Sequence, residues 1–229
     1  MPERELWVVR QGLTPYSEAL EFQRRIAAAR IAGEIDRDVL LLLEHNPVVT
    51  LGRSSKDKHV VASRSFLAEH GVDLFEVERG GDVTFHGPGQ LVGYPIIDLK
   101  QHRQDLHWYL RTLEQALIST LSAFEIAAEL KAGYTGVWTG GRKIASIGVH
   151  ARDWVTWHGF ALNVTTDLSY FDMIIPCGIP GVVMTSIEKE TGSTIAMERV
   201  ETEFAGQFAR LFSLAPVELP ASELLSGVA

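Results

Sequence analysis

Six strand-length runs, at 39–43, 48–51, 74–77, 90–97, 144–150 and 159–164, fill the middle of this chain, and amphipathic helical stripes flank and separate them. Their Val, Ile, Leu and Phe content fits a pleated, half-buried surface. Ala19, Phe22, Ile26 and Ala29 share one helical face, and Thr14 is expected to cap that helix, with Pro15 in its first turn and Gly33 at its end. Two further stripes are Leu106, Leu110, Leu113, Leu117 and Leu121, and Val200, Phe204, Phe208 and Leu211. The polar, Trp-containing segment between the last two runs suits an antiparallel hairpin better than a crossover helix. Strands and helices are thus segregated more than they alternate. The expected fold is α/β of the α+β type: a mixed, largely antiparallel sheet packed by helices.

With 229 residues, 46% of them hydrophobic, the chain can bury a core without staples. Residues 1–215 read as one domain and 216–229, containing Ala, Ser, Leu and Pro, as a tail that frays. A single cysteine excludes an intrachain disulfide and fits a reducing compartment. The first ten residues resemble neither a signal nor a transit peptide, and no run reaches the roughly 18 apolar residues of a membrane span. A cytoplasmic address is expected, with no membrane partner. The net charge of −8, without a Lys/Arg stripe, opposes nucleic-acid binding but leaves room for a small basic patch.

Alternation from 159 puts Phe160, Leu162 and Val164 on one face and Gly159, Ala161 and Asn163 on the other; Ser146 and Gly148 share a face of the preceding run. Faces so poor in bulk leave space for a ligand or admit a tightly packed helix. The segment Arg79-Gly80-Gly81-Asp82-Val83-Thr84-Phe85-His86-Gly87-Pro88-Gly89-Gln90 combines glycines that let backbone approach a ligand with Arg79 and His86, which could orient a carbonyl or polar headgroup. A turn needed only for chain geometry has the same composition. Its glycine spacing is not that of a dinucleotide fingerprint, and it leads into a strand.

Cys177 sits between Pro176 and Gly178 in a short irregular segment. A lone cysteine is commonly a small buried apolar group, but its thiolate is a nucleophile, and a nearby ammonium favours that form. Lys143 follows a glycine pair at the entry of the 144–150 run and is the best-placed lysine; the other reading is a strand-end surface lysine. A cysteine protease with His158 and Asn163 orienting Cys177 lacks the flanking signatures. Scattered histidines, no His-Glu-x-x-His, no second cysteine and no phosphate-binding loop leave no expected metal or cofactor.

Three blocks, in order, resemble the lipoyl(octanoyl) transferase family: Arg79-Gly80-Gly81 with Thr84, His86-Gly87-Pro88-Gly89-Gln90-Leu91-Val92 and Tyr94-Pro95; Lys143-Ile144-Ala145-Ser146-Ile147-Gly148-Val149 with His158-Gly159-Phe160-Ala161-Leu162-Asn163-Val164; and Pro176-Cys177-Gly178-Ile179. The resemblance implies the catalytic fold of biotin and lipoate protein ligases and the first step of endogenous protein lipoylation. In that step an octanoyl group leaves octanoyl-acyl carrier protein for Cys177. It then passes to a lysine of lipoyl domains, those of 2-oxoacid dehydrogenases and the glycine cleavage H protein. Carried over by position, Lys143 activates Cys177. The acyl site would be lined by Arg79, Gly80, Gly81, Asp82, Val83, Thr84, Phe85 and His86, by Ser146, Ile147 and Gly148, and by Gly159, Phe160 and Ala161. The carrier so implied is acidic, which would require a local basic patch such as Arg53, Lys56 and Lys58.

One departure is Phe85, where the family commonly has Tyr, so any hydrogen bond from that hydroxyl is missing. The alternatives are an ATP-dependent lipoate or biotin ligase, whose adenylation needs no thiol, and a non-catalytic acyl-binding module.

Overall fold

Val39, Leu40, Leu41, Leu42 and Leu43 are all fully buried. A continuous apolar run, with no alternation, is what a strand covered on both faces requires. The computed structural model describes residues 4–224. Its elements are β1 (Arg4–Thr14), α1 (Tyr16–Ala32), β2 (Asp38–His45), β3 (Val48–Leu51), α2 (Arg64–Glu69), β4 (Asp73–Glu76), β5 (Val83–His86), β6 (Gln90–Ile96), α3 (Leu106–Ser122), β7 (Val137–Thr139), β8 (Arg142–Arg152), β9 (Val155–Asn163), α4 (Ile187–Thr191), α5 (Met197–Phe212), β10 (Leu214–Glu218) and α6 (Ala221–Leu224). Among the described residues, seven strands form the main sheet in the order β10-β1-β2-β6-β9-β8-β7, and β4-β3-β5 form a second. β1 pairs in parallel with β10 and β2, and the remaining pairs of the main sheet are antiparallel. The sheet is therefore mixed and largely antiparallel.

Leu40 and Leu42 face one core with Leu113 and Leu117 of α3 and Phe204 and Phe208 of α5. Val39, Leu41 and Leu43 face a second core with Ala19, Ile26 and Ala29 of α1. A third cluster joins the small sheet, through Val49, Val83 and Phe85, to Phe171, Ile174 and Met184 around the cysteine-bearing loop.

Several expectations are corrected. Pro15, not Thr14, holds the cap position of α1; Thr14 ends β1 and its hydroxyl bonds back to the Gln11 and Gly12 carbonyls. Gly33 does close the helix, at φ 78°. Leu106, in the first turn of α3, is 40% exposed, and in the last turn of α5 Ala209 and Phe212 are buried while Leu211 is only half-buried. The antiparallel hairpin expected around residues 151–158 does form, with longer strands than the apolar runs marked: β8 runs to Arg152, β9 starts at Val155, and Asp153 and Trp154, at φ 50° and 65°, make a two-residue turn. Strand β5 lies inside the glycine-rich segment, so that segment is not all turn.

The tail expected from Pro216 does not begin there. Pro216, Val217 and Glu218 pair with Leu6, Trp7 and Val8 of β1, the Leu219 N–H continues to the Val8 carbonyl at 2.9 Å, and Leu224 is buried against the α1 core. Local composition missed this because the stabilising partner is a strand some 210 positions away. Residues 225–229 lie outside the described residues. No described helix is long and apolar enough to cross a membrane. Leu224→Ala is expected to cost about 2 kcal/mol or more by cavity formation, read as a lower urea midpoint; a fraying terminus would give no change.

Candidate active site

Gly140 and Gly141, at φ 52° and 77°, turn β7 into β8 and deliver Lys143 to the second residue of β8. Lys143 is 0% exposed, so it is not a strand-end surface lysine. Its N–H donates to the Val183 carbonyl at 2.8 Å and its carbonyl accepts from the Thr185 N–H at 2.9 Å, fastening the end of the cysteine loop to the strand. A Cβ at Gly136 would come within 3.0 Å of Lys143 Cε, and the ammonium lies 5.1 Å from the centroid of a Trp138 ring.

Lys143 Nζ donates to Cys177 Sγ at 2.9 Å. A buried ammonium without a partner is strongly disfavoured, and a thiolate answers that need while being the reactive form of sulfur. Cys177 has φ 56°, the left-handed region that a residue with a Cβ seldom adopts. Strain of this kind persists only where the surroundings impose it. Here the Ile175 N–H donates to the His59 carbonyl at 2.8 Å, and Gly178 N–H to the Ile175 carbonyl at 2.9 Å.

Beside Cys177 is a cavity with about 440 Å³ of empty space, part of it open to solvent. Its floor is the registered pairs Ser146–Ala161 and Gly148–Gly159 of β8 and β9. Small side chains make that room, but Gly148 answers a second demand: a Cβ there would come within 2.8 Å of the Gly80 carbonyl, which crosses over β8. Arg79, Gly81, Asp82, Thr84 and His86 also line the cavity, as do Ile147 and Phe160. Gly80, Val83 and Phe85 do not. β5 alternates, so Thr84 and His86 face the cavity while Val83 and Phe85 enter the third core, with Phe85 stacked on Tyr170 at 4.7 Å. Gly80 serves instead through its N–H, which donates to the Val149 carbonyl at 2.8 Å.

The Arg79 guanidinium is committed to the protein, donating to Thr50 Oγ1, the Thr50 carbonyl and the Gly80 carbonyl. His86 bonds Gln90, whose amide donates to Asn163 at 2.9 Å, and Asn163 in turn donates to the Thr185 carbonyl. Asn163 is thereby occupied, and His158 faces Glu78 at 3.6 Å. The protease-like arrangement of Cys177 with these two residues does not form.

A family model for the catalytic domain of lipoyl protein ligases A and B matches residues 15–209. The chain belongs to this family. An octanoyltransferase of Gloeobacter violaceus is 50% identical over 207 residues, 90% of each chain. The fold of this lipoyl ligase A/B domain is similar to that of a structure from an archaeal lipoylation system, described as a bi-partite lipoate protein ligase and its E2 lipoyl domain from Thermoplasma acidophilum. The TM-score is 0.76 at 16% identity, covering 96% of this chain and 89% of that one. Biotin protein ligase from Aquifex aeolicus gives 0.53 at 14% identity, covering 91% and 70%.

Within the lipoyl ligase A/B domain, sequence reasoning missed Tyr16 of α1, which lines the cavity, and His45, whose ring bonds Tyr94 Oη at 2.7 Å behind the wall. Nothing local marks either residue; tertiary folding brings them to the site. Burial pushes His45 down to about 4, against its bond to the Thr14 carbonyl, and lowers His86 and His158 as well. Burial also pushes Tyr16 up to about 12. These imidazoles and the Tyr16 phenol are therefore uncharged at neutral pH, and besides Cys177 the charges in the cavity lining are those of Arg79 and Asp82. Because the unfolded chain protonates near 6.5 and buried His45 only near 4, the stability this group contributes is present above pH 6.5 and lost as pH falls toward 4. The loss is up to about 3 kcal/mol. Urea titrations are expected to show His45→Asn losing less stability between pH 7 and 4.5 than the unaltered chain.

Proposed function

We propose that this chain is a cytoplasmic octanoyltransferase of protein lipoylation that works through a thioester on Cys177. The observation that carries this reading is the 2.9 Å contact from Lys143 Nζ to Cys177 Sγ beside a cavity floored by small residues. The thiolate attacks the thioester carbonyl of octanoyl-acyl carrier protein, the carrier's sulfur leaves, and the octanoyl chain rests in the cavity. A lysine of a lipoyl domain, in a 2-oxoacid dehydrogenase or the glycine cleavage H protein, then takes the acyl group as an amide. Each large partner visits separately, which a covalent intermediate allows.

Mixing the enzyme with octanoyl carrier alone, quenching in acid and measuring intact mass is expected to reveal one octanoyl adduct on the Cys177 peptide. A lipoyl domain should then discharge it. Normal transfer with no adduct in a single turnover would refute the covalent route. Cys177→Ser should lower transfer about 10³-fold or more while folding normally. Lys143→Ala should lower it about 10²-fold at neutral pH; an unchanged rate would reduce Lys143 to packing.

Arg53, Lys56 and Lys58 are the basic side chains we assign to carrier docking. All three are exposed, and their loop is held to the cavity segment by Arg53 N–H to the Arg79 carbonyl and Ser54 N–H to the Gly81 carbonyl, each at 3.0 Å. Reversing Lys56 and Lys58 to Glu is expected to raise KM for the carrier several-fold at low salt, less so at high salt. A salt-independent KM would place docking elsewhere.

A further inference from the structure

Among the described residues that line the cavity, Asp82 is the one carboxylate. An octanoyl chain and a neutral thioester give it nothing to bind. The amine to be acylated does: a lysine arrives as an ammonium, with an ordinary pKa of about 10.4. We infer that Asp82 receives the ammonium of the acceptor lysine and that His59 holds the carboxylate in place, an inference that rests on the thioester reading above.

Both carboxylate oxygens are fixed. Oδ1 accepts from the Val83 N–H at 2.8 Å, and Oδ2 is bonded to His59 Nδ1 at 2.6 Å. Each oxygen keeps acceptor capacity for the three N–H donors of an ammonium. No Arg79 donor is hydrogen-bonded to Asp82, since they go to Thr50 and Gly80, so the two charges attract only at longer range and Asp82 keeps its lone pairs for another donor. The carboxylate also stands next to the nucleophile. Gly178 directly follows Cys177, and a Cβ there would collide with Asp82 Oδ2 and come within 3.0 Å of the His59 ring. His59 is tied to the same loop through its carbonyl, which accepts the Ile175 N–H. The Asp82 side chain is 11% exposed, which places it within reach of an entering side chain.

In the transfer step the acceptor nitrogen forms the C–N bond as the C–S bond to Cys177 breaks. Of the two protons the ammonium sheds, one passes to Asp82 and on to solvent, and the other goes to the departing sulfur, which leaves as the thiol. Asp82 thus acts in the second half-reaction, where charge must be recruited, and His59 is a positioning residue.

The test isolates octanoyl-enzyme and compares its discharge by a lipoyl domain with its discharge by hydroxylamine, a small nucleophile that is uncharged at neutral pH. Asp82→Asn is expected to raise KM for the lipoyl domain at least tenfold and to slow hydroxylamine discharge far less. His59→Ala, the second variant, should show the same imbalance in a weaker form, and His59→Asn, which can keep an N–H toward Asp82, should restore much of it. Equal losses toward both nucleophiles, or none toward the lipoyl domain, would overturn the role of Asp82 and leave the thioester standing. Failure of the unaltered enzyme to form octanoyl-enzyme would overturn both.

Discussion

A buried lysine ammonium 2.9 Å from a sulfur is the contact on which the arrangement of this site depends. An ammonium inside a protein needs a partner, and a cysteine at positive φ needs a loop that cannot relax. Both needs are met by one piece of chain. The segment after the cysteine runs back along β8 and exchanges backbone hydrogen bonds with Lys143 on either side, while the segment before it is pinned to the His59 carbonyl. The charge and the strain therefore constrain each other.

The same economy runs through the cavity. Ser146, Gly148, Gly159 and Ala161 keep the sheet bare where an acyl chain would lie, and Gly148 also admits the Gly80 carbonyl and the Arg79 side chain. A chain of polar side chains, His86 to Gln90 to Asn163 to the Thr185 carbonyl, links the glycine-rich segment through β9 to the segment that follows the cysteine loop. Buried polar networks of this kind are favourable only when each member is satisfied, and these links are short and buried. Removing one would disturb both walls of the cavity at once.

Much of the fold is legible because burial writes periodicity into sequence. The unbroken run in β2, the small-residue alternation in β8 and β9, and the Phe stripe of α5 each identify an element and the face it buries. β1, β5, β7 and β10 were not legible. β1 carries Arg4, Glu5, Arg10 and Gln11 among its apolar residues, β5 hides between glycines, β7 is three residues long, and β10 pairs with the opposite end of the chain. Each is stabilised by what lies beside it in space.

The site divides in the same way. From residue types alone, Cys177 and Lys143 stand out as a thiol and an ammonium suited to one another, and the spacing of Gly, Ser and Ala along two runs indicates open space on one face of a sheet. Those properties are local, so the sequence by itself determined them. Only the tertiary structure decided that Lys143 is buried, that Val83 and Phe85 turn away from the cavity while Thr84 and His86 face it, that Tyr16 closes a wall, and that Asp82 and His59 meet beside Gly178. The reason is physical: hydrogen bonds and close packing act over a few ångströms in space, between residues that sequence separates by tens of positions.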